Sequence, residues 1–142
     1  MYIFLRAEQI KNAVSLGELK ISPFTEQNLK PASYTLTLGE ILVVADTREE
    51  VRIEGGGYRL QPGSFILGKS QEHLNLNGKF LCLLGTRGSI AQLGVDAVQS
   101  SSIAEPDTDA KLTLEIVNHG AKEVLLTAGM PIVKAIFCQL KD

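Results

Sequence analysis

Cysteine and histidine are scarce in this chain, with two of each in 142 residues. Cys82 and Cys138 lie in apolar, strand-like runs, KFLCLL and AIFCQL. A pair so placed makes neither a disulfide framework nor a thiolate metal site, and reads as two buried thiols. His119 follows Asn118 in a turn, where a lone histidine is more often structural or solvated than catalytic. Charge of neither sign dominates: 14 Lys and Arg against 16 Asp and Glu leave −2. That excludes a broad electrostatic pull towards nucleic acid or an anionic membrane, and leaves room only for a local basic pocket. No apolar stretch reaches membrane-spanning length. The start, MYIFLRAEQ, has a short apolar run with no basic segment before it and no small-residue cleavage site, which makes a poor secretory leader. Repeats, linkers and low-complexity tracts are missing too. Residues 1–142 therefore read as one domain, long enough to bury a core without staples. The expectation is a soluble, cytoplasmic protein with no nucleic-acid or membrane partner.

What is present is strand after strand. One helix is expected first, in LRAEQIKNAVSLGEL, with Ile10, Val14 and Leu5 on one face and Gly17 at its C-terminal cap. Pro23 and Pro31 mark a loop. SYTLTLG alternates Tyr34, Leu36 and Leu38 against Ser33, Thr35 and Thr37, the pattern of a half-buried strand. EEVRIEGGGYRLQPGSFILGKS reads as a hairpin turning at Gly55–Gly56–Gly57. GKFLCLLGT reads as a buried strand, and GSIAQLG has room for about two helical turns. KLTLEIVNHG, EVLLTAG and MPIVKAIFCQL supply the last strands. The class is mainly β, a distorted jelly-roll or β-barrel with one N-terminal helix and a short helical insert.

Four stretches, in this order and spacing, resemble the dCTP deaminase branch of the dCTP deaminase/dUTPase superfamily. They are PFTEQNLKPASYTLTLG (23–39), PGSFILGKSQEHLNL (62–76), GTRGSIAQLGV (85–95) and LTLEIVNHG with LTAGMPIVKAIF (112–120 and 126–137). The resemblance implies a dUTPase-like fold, a homotrimer with nucleotide sites between subunits, a deoxynucleoside triphosphate as ligand, and Mg²⁺ bound with the triphosphate. It also implies roles. Arg87, Gly88 and Ser89 match the phosphate-facing turn, where a glycine-rich helix start presents free amides to an anion. Gln99, Ser100 and Ser101 fall in the segment that meets base and sugar, and Glu105 stands in the place of a family aspartate. Glu115 matches the general base that activates water against C4 of cytosine without zinc, with Gln92 beside it as a water or base partner.

Other positions depart from the family. Gly88 stands where it has a serine, Gln92 where it has an arginine, and Thr35 and Thr37 where it has an aspartate and an arginine. Strand parity also opposes the catalytic role of Glu115, because Leu112, Leu114 and Ile116 share the buried face and leave the carboxylate to the other side. No Cys/His cluster supports zinc deaminase chemistry. Three functions follow from the sequence: hydrolytic deamination of dCTP to dUTP, a degenerate trimeric homologue that binds a nucleotide without turnover, and a dUTP diphosphatase using Glu105 or Asp107.

Overall fold

The computed structural model describes residues 3–142. The chain enters through a short strand, β1 (Ile3–Phe4), and passes into α1 (Ala7–Ser15). The helical face is as its periodicity demands: Ile10 and Ala13 are buried, with Val14 packed beside them. Gly17, at φ 73°, supplies the left-handed residue that stops the helix. The proline-bearing stretch is less irregular than expected, since it holds β2 (Lys20–Ser22), a 3-10 turn (Glu26–Asn28) and β3 (Leu29–Lys30). Then follow β4 (Ser33–Thr37), β5 (Ile41–Val43), β6 (Glu50–Arg52), β7 (Tyr58–Leu60), β8 (Phe65–Asn75) and β9 (Phe80–Thr86). The second helix, α2 (Gly88–Ala91), leads to β10 (Val95–Asp96), β11 (Ile103–Ala104), β12 (Asp109–Asn118), β13 (Val124–Leu126) and β14 (Pro131–Gln139).

The strands make two six-stranded sheets and a ribbon. The first sheet runs β11-β9-β14-β4-β3 with β1 also on β14; the second runs β10-β12-β8-β5-β6 with β2 also on β8; β13 and β7 form the ribbon. Neighbours within each sheet are mostly distant in sequence, as in a jelly roll. Leu36, Cys82 and Phe137 of the first sheet meet Ile66, Leu74 and Leu114 of the second in one core. Each such apolar side chain contributes roughly 1.5–3 kcal/mol by leaving water.

Alternation places the long strands. On β12, Leu112, Leu114 and Ile116 point into the core. Opposite them β8 buries Ile66, Gly68, Ser70, Glu72 and Leu74. The two strands pair out of step between Lys111 and Thr113, where β8 carries extra residues. Ser70 closes that gap: its hydroxyl accepts the Leu112 amide at 2.9 Å and donates to the Glu72 carbonyl at 2.7 Å. The offset is even, so the faces of β12 are unchanged across it.

Three expectations are corrected. The Gly55–Gly57 run does not turn a hairpin, because β6 pairs with β5 and β7 pairs with β13. Gly57 serves a close approach instead: a Cβ there would stand 2.8 Å from Leu125 Cδ1 and 2.9 Å from the Leu126 carbonyl oxygen. β4 is not half-buried, since Thr35 and Thr37 are buried along with the leucines they alternate with. Finally, α2 is a single turn and not two. The Leu93 and Gly94 amides fall back on the Ile90 and Ala91 carbonyls, the tightened bonding of a helix end. Gly94 leaves at φ 91°, with its Cα against Gly120.

Register also defines the outer side of the first sheet. Phe4, Cys138 and Leu81 share one cross-strand row, and Ile136, Leu83 and Ile103 share the next. Phe4 is 54% exposed and Ile103 52%. An apolar sheet face of this extent has no covering layer among the described residues.

Candidate functional site

Glu115 lies on the side of β12 opposite the core, as parity requires, yet it does not stand in open solvent. Its cross-strand partner is Leu67 on β8, whose own neighbour on β5 is Val43. Val117, next along the same face, pairs with Phe65 and with Asp96 on β10. The carboxylate is thus set among apolar side chains, and its Oε2 is buried without a hydrogen-bond partner. Loss of water pushes its pKa up from the ordinary carboxylate value; the nearby Asp96 charge adds to the rise and a bond to its own backbone opposes it.

The groove beside it has a volume of about 380 Å³ and opens between β11 and β12. Ser101, Ile103, Glu105, Asp107, Thr113 and Glu115 are among its lining residues. Its acidic wall is the turn after β11, closed by the Thr108 amide on the Glu105 carbonyl at 3.0 Å. The loop from β10 to β11 makes the rim. There Gln99 and Ser100 take positive φ, 28° and 68°, both exposed and outside the groove lining.

A second cluster surrounds α2. Arg87 is its N-cap, and its amide donates to the Ile132 carbonyl at 2.8 Å. The Arg87 side chain forms no ion pair among the described residues. Gly88 and Ser89, both exposed, open the turn with amides that have no partner inside the helix. Gln92 is exposed as well. None of these four lines the groove that holds Glu115. Within one chain, then, the fold brings together Glu115, Glu105 and Ser101, and leaves Arg87, Gly88, Ser89, Gln92, Gln99 and Ser100 outside that groove. Lys134 sits exposed on the outer side of the first sheet beside Thr35 and Gly85.

Two carboxylates escape a sequence reading. Asp96 caps the rim loop, accepting the Val98 and Gln99 amides at 2.9 and 2.8 Å on Oδ1. An aspartate followed by small and polar residues at a strand end is the signal for such a turn. Glu72 is buried on β8, where Thr37 donates its amide to Oε1 at 2.9 Å and its hydroxyl contacts Oε2 at 2.6 Å. Only its place in the alternation of QEHLNL hinted at burial. Cys82 is inert by burial, its thiol pushed up to about 12.

Two antiparallel sheets on one apolar core, with an off-sheet ribbon and a half-buried strand carboxylate beside an acidic groove, define a distorted jelly roll. A family model described as dCTP deaminase-like matches residues 4–140. The chain belongs to that dCTP deaminase-like family. It is 31% identical to a "dCTP deaminase, dUMP-forming" of Coprothermobacter proteolyticus over 90% of this chain and 77% of that one. Among solved structures it resembles a 2′-deoxycytidine 5′-triphosphate deaminase of Agrobacterium tumefaciens, with TM-score 0.80 and 18% identity over 98% of this chain. The chain spans about half of that structure, 48% of its length. A dUTPase from phage phi11 of S. aureus shares the fold at TM-score 0.58 and 11% identity, over 87% of this chain and 92% of that one.

Proposed function

We propose that the chain binds a deoxynucleoside triphosphate and hydrolytically deaminates dCTP to dUTP and ammonia, with Glu115 as the base. The observation that carries this reading is the orphaned, buried Oε2 of Glu115 at the wall of a groove. A carboxylate oxygen kept from water with no partner is costly unless something else meets it there. A water or an exocyclic amine would do so. Glu115 takes a proton from water as the oxygen attacks C4 and passes it to ring N3. It then takes the proton of the new C4 hydroxyl and gives it to the amine, so that C4=O forms as the C4–N4 bond breaks and ammonia leaves. Its raised pKa brings it nearer the range in which one group can both accept and donate a proton near neutrality.

The phosphates are assigned to Arg87 and to the Gly88 and Ser89 amides. Because these lie outside the groove of their own chain, the reading includes a homotrimer in which α2 of one copy completes the groove of the next. The uncovered face of Phe4, Leu83, Ile103 and Ile136 gives such copies a surface to bury. Mg²⁺ fits as a companion of the triphosphate. No group of three His, Cys, Asp or Glu among the described residues is placed to cage an ion, and Mg²⁺ commonly takes most of its ligands from phosphate oxygens and water. When bound it would neutralise phosphate charge, and the groove carboxylates Glu105 and Asp107 are the residues that would offer it protein oxygens. The solved phage phi11 dUTPase is described with a structural Mg(II) ion. A nucleotide substrate and two buried free thiols support a cytoplasmic setting.

A second reading is favoured by one observation. Gln92 and Gly88 offer less side-chain chemistry to substrate than the arginine and serine of the family, which suits a homologue that binds a nucleotide without turnover. One experiment separates the outcomes. The protein is incubated with each deoxynucleoside triphosphate and Mg²⁺, and ammonia, base and phosphate products are resolved. Ammonia from dCTP alone supports the deaminase. Diphosphate from dUTP replaces it with the diphosphatase. Binding with no product supports the degenerate homologue.

A further inference from the structure

The rim loop between β10 and β11 holds a backbone that its residues do not favour. Gln99 and Ser100 sit at φ 28° and 68° without being glycine, which costs energy at each position unless the surroundings impose it. What imposes it is one oxygen. Asp96 Oδ1 accepts the amides of Val98 and Gln99 and lies 3.5 Å from the Thr86 hydroxyl. The Thr86 hydroxyl in turn accepts the Ala97 amide at 2.9 Å. The loop then folds back, with the Ser101 amide on the Val98 carbonyl at 2.7 Å, and ends with the Leu84 amide on the Ser102 carbonyl at 2.7 Å. Both anchors are therefore on β9, whose last residue, Thr86, precedes Arg87.

We propose that Asp96 is the positioning residue of the site, its Oδ1 holding the rim loop to the end of β9 so that Ser101 stands in the groove beside Glu115. The assignment rests on the reading that the groove takes a nucleotide. It adds a residue that touches neither the reacting atoms nor the phosphates. Asp96 acts through the loop it shapes, and it couples the phosphate turn to the groove through Thr86. The paired amides make the acceptor oxygen the essential part and the second oxygen dispensable.

That distinction sets the test. In a Glu115→Gln background, which removes turnover, dCTP affinity is measured by calorimetry with Mg²⁺, and amide exchange is followed over residues 97–102. Asp96→Ala removes the acceptor. Asp96→Asn keeps an oxygen in its place. The expected result is faster exchange and about tenfold or greater loss of dCTP affinity in Asp96→Ala, a factor equal to at least one lost charge-assisted bond. Asp96→Asn should recover both to within about twofold. If Asp96→Ala does not fold, Thr86→Val tests the same tether from its other end and should weaken dCTP binding in a folded chain. A folded Asp96→Ala with unchanged affinity, or an Asp96→Asn that fails to rescue, overturns the assignment alone. A parent protein that binds no dCTP overturns the functional reading and the assignment with it.

Discussion

The groove around Glu115 and the turn around Arg87 are built in different ways. Glu115 stands on β12, paired along most of its length with β8, and its depth is set by register with Leu67 and Val43. Arg87 caps a single helical turn, with Gly88, Ser89 and Gln92 exposed along it. The environment of the strand residue follows from the sheet and tolerates change elsewhere. The chemistry of the turn follows from its own side chains and backbone, so each substitution there acts directly. It is the turn, not the strand, that departs from the family pattern at Gly88 and Gln92. A scaffold can thus keep a half-buried carboxylate while the side chains of an exposed turn change.

The largest effect that would break this comparison is at Glu115. Glu115→Gln should lower ammonia release from dCTP by about 10²–10⁴-fold while leaving affinity near that of the parent, since the shape remains. The assay is ammonia release against calorimetric affinity. Equal rates in the parent and the variant would assign the chain to binding alone. Next is the turn itself. Arg87→Ala should weaken triphosphate binding by roughly 1.5–3 kcal/mol, the range for a hydrogen bond to a charged group, with the midpoint of thermal unfolding little moved. Unchanged affinity in a folded variant removes Arg87 from the site.

A third change sharpens the idea that two copies complete one groove. Leu83→Asp on the uncovered face of the first sheet should convert an assembly to monomers in sedimentation, and nucleotide affinity should fall with it. A parent that is monomeric across micromolar concentrations excludes the trimer outright. The smallest effect is on stability. The folded pKa of Glu115 lies above its unfolded value, so the unfolded chain ionises first as pH rises. Below the ordinary carboxylate range both states are protonated and the site contributes nothing. Through the interval up to the raised folded value the folded state binds more protons, and stability falls. Glu115→Gln should therefore melt higher than the parent at neutral pH, and the difference should close on acidification. A gap that widens in acid contradicts the desolvated carboxyl.

The long strands were legible because their alternation is local. β9, β12 and β14 fall where the apolar pattern puts them, β8 runs on past the expected Ser70 to Asn75, and α1 stops at Gly17 as expected. Partner choice was not legible. The glycines at 55–57 signal a turn correctly, but β6 and β7 bond to β5 and β13, strands that no short-range pattern can name. Parity told which side of β12 carries Glu115. It could not tell that Leu67 and Val117 share that side, or that one carboxylate oxygen is buried there without a partner. Thr35 and Thr37 look like a polar face, yet Thr37 turns to Glu72, a buried group whose charge argued against burial. Asp96 was missed because its role lies in two amides just after it, and a side chain that shapes backbone leaves little trace in hydrophobic pattern.

The meeting of Gly94 with Gly120 has a mechanical consequence. A Cβ on Gly94 would stand 2.8 Å from the Gly120 Cα, and a Cβ on Gly120 would stand 2.8 Å from the Leu93 carbonyl oxygen. The His119 amide bonds the Gly94 carbonyl at 2.8 Å across the same contact. This is a joint with no clearance. On one side of it is the end of α2, and on the other the end of β12, where Asn118 is tied by its amide group to the carbonyls of Leu60 and Lys122 at 3.0 and 2.8 Å. Glu115 is three residues up that strand, about 10 Å away at the usual rise. A displacement of α2 has no slack to take up before it reaches the strand that bears the carboxylate.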